Sequence, residues 1–451
     1  MRLSTIKSKN TVQFYIIKSV TVDGKTTSKI VEKLGNLEHI QGIIGPDADP
    51  YAWGRERALH LTQEENKSQL IVNIPYSNSR RIEKDQTNIY NGGYLFIKKI
   101  FYELKLDLLA KEIAGKYKIE FDLTSILHDL ICSRIIYPSS KQNTFEESKK
   151  FLEKHDYDLH QVYRALDIIA KEDAYIQKHL YKNSIKIIER NTQVLYYDCT
   201  NFYFETQESE GLKQYGKSKE NRPNPIIEMG LFMDGNGIPL GFSIHPGNTN
   251  EQVTLKPLET QIIQDFELSN LIVCTDAGLS SKTNKQFNSI SNRDYITVQS
   301  LKKLKLHLKE WALDPKGWST LNGTEDIDIS DIELVNNNST YYKERWIKEN
   351  GIEERLIISF SPKYKLYQES IRCKQIDRAN KIIENKIAMK NTNPNDPKRF
   401  IKQTPHTPDG EVASETDYTL DTTQIKKEKS YDGFYGIVTS LDDPVQDIIT
   451  V

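Results

Sequence analysis

The spacing of apolar residues changes along the chain and divides it into regions. Apolar and polar residues alternate over 12–34, which predicts two strands, and Asp23-Gly24 between them is typical of a tight hairpin turn. From 93 to 190 apolar residues recur with helical spacing, which predicts a helical domain. The mixed pattern from about 35 to 80 predicts no definite element.

Beyond residue 191 the pattern predicts a run of strands and then an alternation of helices and strands. The predicted elements are strands at 192–199, 226–234 and 238–246, a helix at 251–266, a strand at 271–276, a helix at 280–292 and a strand at 294–300. This order is typical of a ribonuclease-H-like fold, although other mixed α/β sheets share it. We therefore predict a multidomain α/β protein with a ribonuclease-H-like mixed sheet.

A change of composition after residue 302 predicts an insertion into that sheet. Lys, Asn, Thr and Asp become frequent, with strand-like pieces at 326–335 and 354–361 and a helical piece at 371–390. An apolar β pattern returns at 430–440. The predicted domains are a β-hairpin region (1–80), a helical, candidate DNA-binding domain (81–190), the first part of the core (191–302), a β-rich insertion (303–428) and a return to the core (429–451).

Length and composition exclude several classes of protein. The chain has 451 residues, too many for one ordinary domain, and its hydrophobic share of 37% excludes wholesale disorder. No apolar run approaches the length of a bilayer-spanning helix, and no apolar signal region follows the N-terminus, so we expect a cytoplasmic protein. The 4 cysteines are far apart without a C-x-x-C pair, which argues against a zinc ribbon or a disulfide framework.

The charge is almost balanced, with 61 Lys and Arg against 63 Asp and Glu, so DNA binding would require local basic faces. One candidate surrounds a Pro-Ser-Ser break in the helical region and contains Arg134, Lys141, Lys149 and Lys150. A DNA-contacting turn and a solvated charged face both fit this segment, and the charge pattern alone favours the solvated face.

Two aspartates lie at the ends of apolar strands. Asp198 ends the strand at 192–199, and Asp276 ends the strand at 271–276. Carboxyl ends of strands commonly bind ligands in α/β sheets, and two carboxylates held together there would attract a cation such as Mg²⁺. Equally, Asp198 could cap a turn with Thr200 and Asn201, and Asp276 could begin the turn before Ala277-Gly278.

Three motifs resemble the catalytic core of DDE transposases from bacterial insertion sequences. They are YYDCTNFYFET (196–206), YGKSKENRPNPIIEMGLFMDGNGIPLGFSIHPGNTNE (215–251) and VCTDAGLSSKTN (273–284). The resemblance covers roughly residues 191–300 and points to the branch with a β-rich insertion and a Tyr-Arg-Glu-Lys signature around its third acid. It implies that Asp198 and Asp276 are catalytic and hold Mg²⁺, with Mn²⁺ as an alternative ion.

Other residues of these motifs have two interpretations each. Lys217, Lys219 and Arg222 lie in a polar loop and could contact DNA phosphates, but a solvated hairpin loop fits them equally well. In HPGNTNE (245–251) the turn and a helix N-cap at Asn250 favour a structural role. His155 and His160 have no acidic or cysteine partner at metal-site spacing, which argues against a metal site there.

The third acid of the family is not matched. The residues after Asp432 lack the signature, and the helix that Asp443-Pro444 predicts reaches Val451 after about two turns. We therefore expect a C-terminally truncated transposase with impaired catalysis. Glu205, Glu228 and Glu251 are the nearby acids that could substitute, but the sequence does not indicate that any of them reaches the site.

Three functional hypotheses remain. The first is a Mg²⁺-dependent transposase that cuts and joins DNA at insertion-sequence ends, with double-stranded terminal repeats and target DNA as partners and a homodimer as the active form. The second is a catalytically inactive, DNA-binding or dimerising remnant that inhibits intact copies. The third is a nuclease of the same fold that cuts DNA without joining ends.

Overall fold

The chain folds into two units, Met1–Lys171 and Glu172–Val451. The computed structural model describes residues 1–7, 11–22, 25–46, 48–68, 84, 89–321, 323, 326–335, 337–349, 351–385, 396–406 and 415–450. Within these ranges no helix is long and apolar enough to cross a membrane. The five predicted domains stay a prediction.

The first unit begins with a three-stranded antiparallel sheet of β1 (Arg2–Lys7), β2 (Val12–Val22) and β3 (Lys25–Asn36). The predicted hairpin is the β2–β3 pair, and its turn residues Asp23-Gly24 lie outside the described residues. Strand alternation turns Phe14 and Ile16 towards helices α1 (Leu37–Ile44) and α2 (Pro50–Ser68), where they form a small apolar core with Leu34 and Ile40.

In the described part of the first unit after residue 89, five helices confirm the predicted helical pattern. They are α3 (Tyr94–Glu103), α4 (Leu106–Tyr117), α5 (Leu123–Ile136), α6 (Lys141–Ser148) and α7 (Leu159–Lys171). The break between α5 and α6 ends where Ser140 caps α6 by accepting a hydrogen bond from the Asn143 N–H (3.2 Å). Lys149 and Lys150 pair with Glu146 and Glu147 at 2.7 and 2.8 Å, as residues of a solvated face commonly do.

The second unit contains a nine-stranded mixed sheet, which confirms the predicted fold class. Its strands are β4 (Val194–Tyr203), β5 (Ile226–Asp234), β6 (Pro239–Pro246), β7 (Leu271–Thr275), β8 (Arg293–Val298), β9 (Ser319–Thr320), β10 (Tyr341–Glu349), β11 (Ile352–Phe360) and β14 (Phe434–Thr439). The order is β6-β5-β4-β7-β8-β14-β11-β10-β9. β4, β5 and β6 are antiparallel neighbours, whereas β4, β7 and β8 run parallel, as in a ribonuclease-H-like core.

Helices and a small separate sheet surround the large sheet of the second unit. The helices are α8 (Asp173–Ser184), α9 (Leu255–Phe266), α10 (Lys282–Phe287), α11 (Leu306–Leu313), α12 (Pro362–Glu384), α13 (Thr422–Lys429) and α14 (Val445–Thr450), with short 3₁₀ helices at Glu251–Val253, Leu301–Lys303 and Pro397–Phe400. Among the described residues, strands β12 (Ile401–His406) and β13 (Glu415–Leu420) pair with each other and form a separate two-stranded sheet. The helix predicted at 251–266 begins with the 3₁₀ helix Glu251–Val253 and continues as α9. The helix predicted at 280–292 is α10, which is shorter than predicted.

Several strands of the second unit come from the predicted insertion at 303–428. Its strands β9, β10 and β11 extend the core sheet, because β14 returns between β8 and β11 and pairs antiparallel with both. The strand predicted at 326–335 is wrong. The described residues there form turns and one isolated bridge, and Ile329 is buried against the core around Trp318, so the alternation of Ile and Asp reflects the packing of a loop.

Candidate active site

The two predicted catalytic aspartates lie at adjacent positions of neighbouring parallel strands. Tyr196 of β4 is opposite Cys274 of β7, and Tyr197 is opposite Thr275, so Asp198 and Asp276 come next on the two strands. Alternation along β4 buries Tyr197 in the core beneath α9 and places Asp198 on the other face of the sheet. Both aspartates line one cavity of about 500 Å³.

The cavity is mostly apolar apart from these carboxylates. Its walls come from β7, β8, β11 and β14 and from α14, and they include Cys274, Ile296, Val298, Ile357, Ile437 and Ile448. Asp198 is well solvated, with 68% of its side-chain surface exposed. A water-accessible carboxylate beside an apolar wall can bind a hydrated cation without the large desolvation cost of a buried charge.

Local hydrogen bonds orient both aspartates. Asp198 Oδ1 accepts a hydrogen bond from the Cys199 N–H at 2.8 Å. Asp276 Oδ1 accepts from the N–H groups of Gly278 (3.0 Å) and Leu279 (3.1 Å), so the predicted turn before Ala277-Gly278 is present. Thr297 Oγ1 of β8 donates to the Asp276 carbonyl at 3.2 Å, which ties the end of β7 to its neighbour. Both hydrogen bonds of the turn are accepted by Asp276 Oδ1, so the turn is compatible with metal binding by the Asp276 carboxylate.

Lys219, a predicted DNA contact, lies near the first of the two aspartates, Asp198. Its ammonium lies 3.7 Å from Asp198 Oδ1 and 3.7 Å from Glu251 Oε1, and it donates to the Cys199 carbonyl oxygen. The backbone N–H of Lys219 donates to Asn201 Oδ1 at 3.2 Å, which fixes the loop against β4. A positive charge therefore lies between two carboxylates, as expected for a site that stabilises cations.

The other two predicted DNA contacts lie in the same loop but make different contacts. The carbonyl oxygen of Lys217 accepts a hydrogen bond from Asn201 Nδ2 at 3.3 Å. The Arg222 guanidinium lies 4.5 Å from the centre of the Tyr203 ring, and its Nε is 3.3 Å from Glu220 Oε2. The solvated-loop interpretation and the DNA-contact interpretation both remain compatible with these exposed positions, so DNA binding by Lys217, Lys219 and Arg222 stays a prediction.

Two of the three acids named as possible substitutes, Glu251 and Glu228, lie near Lys219. Glu251 begins the 3₁₀ helix that Asn250 caps, which confirms the predicted cap. Glu228 on β5 is opposite Asn201 and is only 3% exposed. Burial, and then the charge of Glu251, raise the pKa of Glu228, and its Oε2 has no hydrogen-bond partner among the described residues. Only the antiparallel pairing of β4 with β5 brings Glu228 to this place.

The donors of this site match the preferences of Mg²⁺ and Mn²⁺. Asp198 and Asp276 offer carboxylate oxygens, and Mg²⁺ is typically held by one or two carboxylates with waters and phosphate oxygens in its other positions. No further carboxylate from the residues after Asp432 lines the cavity within the described ranges. Helix α14 contributes Ile448 and Ile449 to the cavity wall instead.

Comparisons with known proteins give similarity of fold only. No protein-family model matches the chain, and neither does any curated protein sequence. The fold is similar to that of piggyBac transposase in a synaptic complex with hairpin DNA, at 11% identity and a TM-score of 0.28 over 61% of this chain and 59% of that one.

It is also similar to Mos1 transposase in a paired-end complex with a left transposon end, at 11% identity and a TM-score of 0.18 over 58% of this chain and 71% of that one. Marinitoga piezophila Argonaute in complex with 5′ OH guide RNA and target DNA matches 32% of this chain and 25% of that one at 15% identity and a TM-score of 0.17. These TM-scores are too low to carry an argument about function, which rests on the site itself.

Proposed function

We propose that this protein is a DDE-type DNA transposase that cuts and joins strands at the ends of a bacterial insertion sequence. The observation that supports the proposal is the position of Asp198 and Asp276 at adjacent ends of the parallel strands β4 and β7, beside one open cavity. The three sequence motifs around these residues agree with it. The nuclease of the same fold has no specific observation in its favour.

Asp198 and Asp276 would hold Mg²⁺ or Mn²⁺ through their carboxylate oxygens. When bound, the ion would activate a water or a DNA 3′ hydroxyl and stabilise charge on the phosphate. Lys219 keeps Asp198 and Glu251 close together by lying 3.7 Å from each, and it can exchange these contacts for a DNA phosphate. Lys217 and Arg222 lie in the same exposed loop and would contact the DNA backbone.

The N-terminal sheet and the helices of the first unit would bind the terminal inverted repeats, and two copies of the chain would act together. Asp198 and Asp276 correspond to the first two catalytic acids of the family, but the Tyr-Arg-Glu-Lys signature around the third acid is not found after Asp432. We therefore propose that strand cleavage by these 451 residues is impaired. The same observation favours the second candidate function, a catalytically inactive DNA-binding or dimerising protein that inhibits intact copies.

A cleavage assay distinguishes the two functions. The substrate is a labelled DNA fragment that contains the coding sequence with its native flanking DNA, incubated with the protein and Mg²⁺ or Mn²⁺. The variants are Asp198→Asn and Asp276→Asn. The matched control is Asp442→Asn, an exposed aspartate after β14, which runs antiparallel to β8 and so places Asp442 at the opposite edge of the sheet.

Cleavage at the element ends that is lost in both site variants and kept in Asp442→Asn supports the transposase. Cleavage that survives both site substitutions contradicts the proposed site. Sequence-specific binding to the flanking DNA without cleavage selects the inactive DNA-binding protein, and absence of both cleavage and binding refutes both functions.

A further inference from the structure

A buried carboxylate in the first unit lies between two histidines. Asp129 on α5 is only 2% exposed, and its Oδ1 is 2.9 Å from His128 Nδ1. Its Oδ2 is in hydrogen-bond contact with His155 Nδ1 and accepts a hydrogen bond from the Tyr157 hydroxyl at 2.6 Å. His155 lies 26 positions after Asp129, so the spacing that argued against a metal site at His155 was misleading.

The three side chains present one ligand atom each at nearly the separation that a metal ion requires. One histidine nitrogen, one carboxylate oxygen and a second histidine nitrogen all lie within 4.8 Å of one another. Ligands bound about 2.1 Å from a tetrahedral ion lie about 3.4 Å apart, so side-chain adjustments of less than about 1 Å would suffice. The two imidazole rings are nearly perpendicular (81°), with centroids 6.2 Å apart, so their nitrogens approach the carboxylate from different directions.

The surroundings support the ligand atoms in the way that metal sites commonly do. The other ring nitrogen of His128 is 3.3 Å from Cys132 Sγ, one turn further along α5, which can accept its N–H and so leave Nδ1 unprotonated. Tyr157 remains hydrogen-bonded to the carboxylate, and the His155 and Tyr157 rings stack at 5.9 Å. His155 is the most exposed of the three ligands, at 14% of its side chain, so water can complete the coordination on that side.

We propose that His128, Asp129 and His155 form a binding site for a divalent transition metal ion, with Zn²⁺ as the ion that suits nitrogen and oxygen ligands in a compact site. The ion replaces the protons that these groups otherwise share. It links α5 to the segment before α7 and thereby stabilises the helices of the first unit. The site is independent of the cavity at Asp198 and Asp276 and does not depend on the proposed transposase activity.

Metal binding to the full chain tests this site directly. The protein carries Asp198→Asn and Asp276→Asn, so that ions at the proposed catalytic site do not contribute. After removal of metal with a chelator, Zn²⁺ is titrated in competition with a chromophoric chelator, and Co²⁺ is added separately to record its visible absorption. One Zn²⁺ per chain, Co²⁺ absorption bands of a low-symmetry nitrogen–oxygen site and a higher thermal unfolding midpoint with Zn²⁺ are expected.

Three variants assign the binding to these residues. His155→Ala is expected to weaken Zn²⁺ binding by about tenfold or more and to remove the Co²⁺ absorption. His160→Ala, an exposed histidine on α7, and Tyr157→Phe, which keeps all three ligands, are both expected to retain Zn²⁺ binding. Absence of stoichiometric Zn²⁺ binding, or binding that His155→Ala leaves unchanged in a protein with native circular dichroism, would overturn the proposal and leave a proton-sharing network.

Discussion

Glu259 makes the stability of the second unit depend on pH, and the structure supplies the size of the effect. This residue lies on α9, directly beneath the strands that carry the two aspartates, and its side chain is fully buried. Burial raises its pKa from 4.5 to about 7, while the Arg293 charge and the Asn288 amide act in the opposite direction with smaller effect. In the orientation that its surroundings require, the Asn288 amide donates to both Glu259 oxygens, at 3.0 and 2.7 Å.

The protonation of Glu259 in the folded and unfolded chains decides whether the free energy of unfolding rises or falls with pH. Below pH 4.5 the Glu259 carboxyl is protonated in both states. Between pH 4.5 and about 7 the unfolded chain releases this proton while the folded chain keeps it, so the free energy of unfolding falls as pH rises. A pKa difference of about 2.5 corresponds to a loss of about 3 kcal/mol, an order-of-magnitude value, which is complete above pH 7.

Glu259→Gln removes this dependence and tests it. Urea unfolding is followed by tryptophan fluorescence from pH 4.5 to 8 in a Trp53→Phe background, which leaves the three tryptophans of the second unit as reporters. Relative to the parent protein, the variant is expected to gain about 3 kcal/mol across this range. Glu267→Gln, an exposed position just after α9, is the control and is expected to keep the parent's pH profile. Parallel profiles for the parent and Glu259→Gln would refute the reasoning.

Three further predictions concern the active-site loop, helix stability and cysteine reactivity. Gly216→Ala would place a Cβ 1.8 Å from the Gly247 carbonyl oxygen, so we expect the loop that carries Lys219 to move and Mg²⁺-dependent cleavage, measured on gels, to fall at least about tenfold. Gly115→Ala, exposed in α4 with open space around it, is expected to raise the unfolding free energy by about 0.5–1 kcal/mol in urea titrations. A thiol reagent is expected to modify exposed Cys373 rapidly and Cys132 only after unfolding, because burial raises the Cys132 pKa to about 12.

Local signals account for the parts of the fold that the sequence predicted. The strand β5 at Ile226–Asp234 coincides with the predicted range, because an apolar run between a polar loop and a glycine turn specifies a strand without help from distant residues. The strand predicted at 326–335 failed for a related reason: alternating isoleucines give the same local signal whether they belong to a strand or to a loop packed on a core. Strand β10 lies between polar segments and carries many charges, so its pattern gave no comparable signal.

In the candidate site, too, local sequence signals account for some features and only the tertiary structure for others. The sequence by itself determined that Asp198 and Asp276 end two apolar strands, since each signal lies within a few residues. Only the tertiary structure decided that β4 and β7 are parallel neighbours in a register that makes these residues adjacent. It also decided that the Lys219 ammonium lies near both Asp198 and Glu251, and that His155 contacts Asp129. These contacts join residues far apart in the chain, and backbone pairing and core packing select them, so no local pattern can specify them.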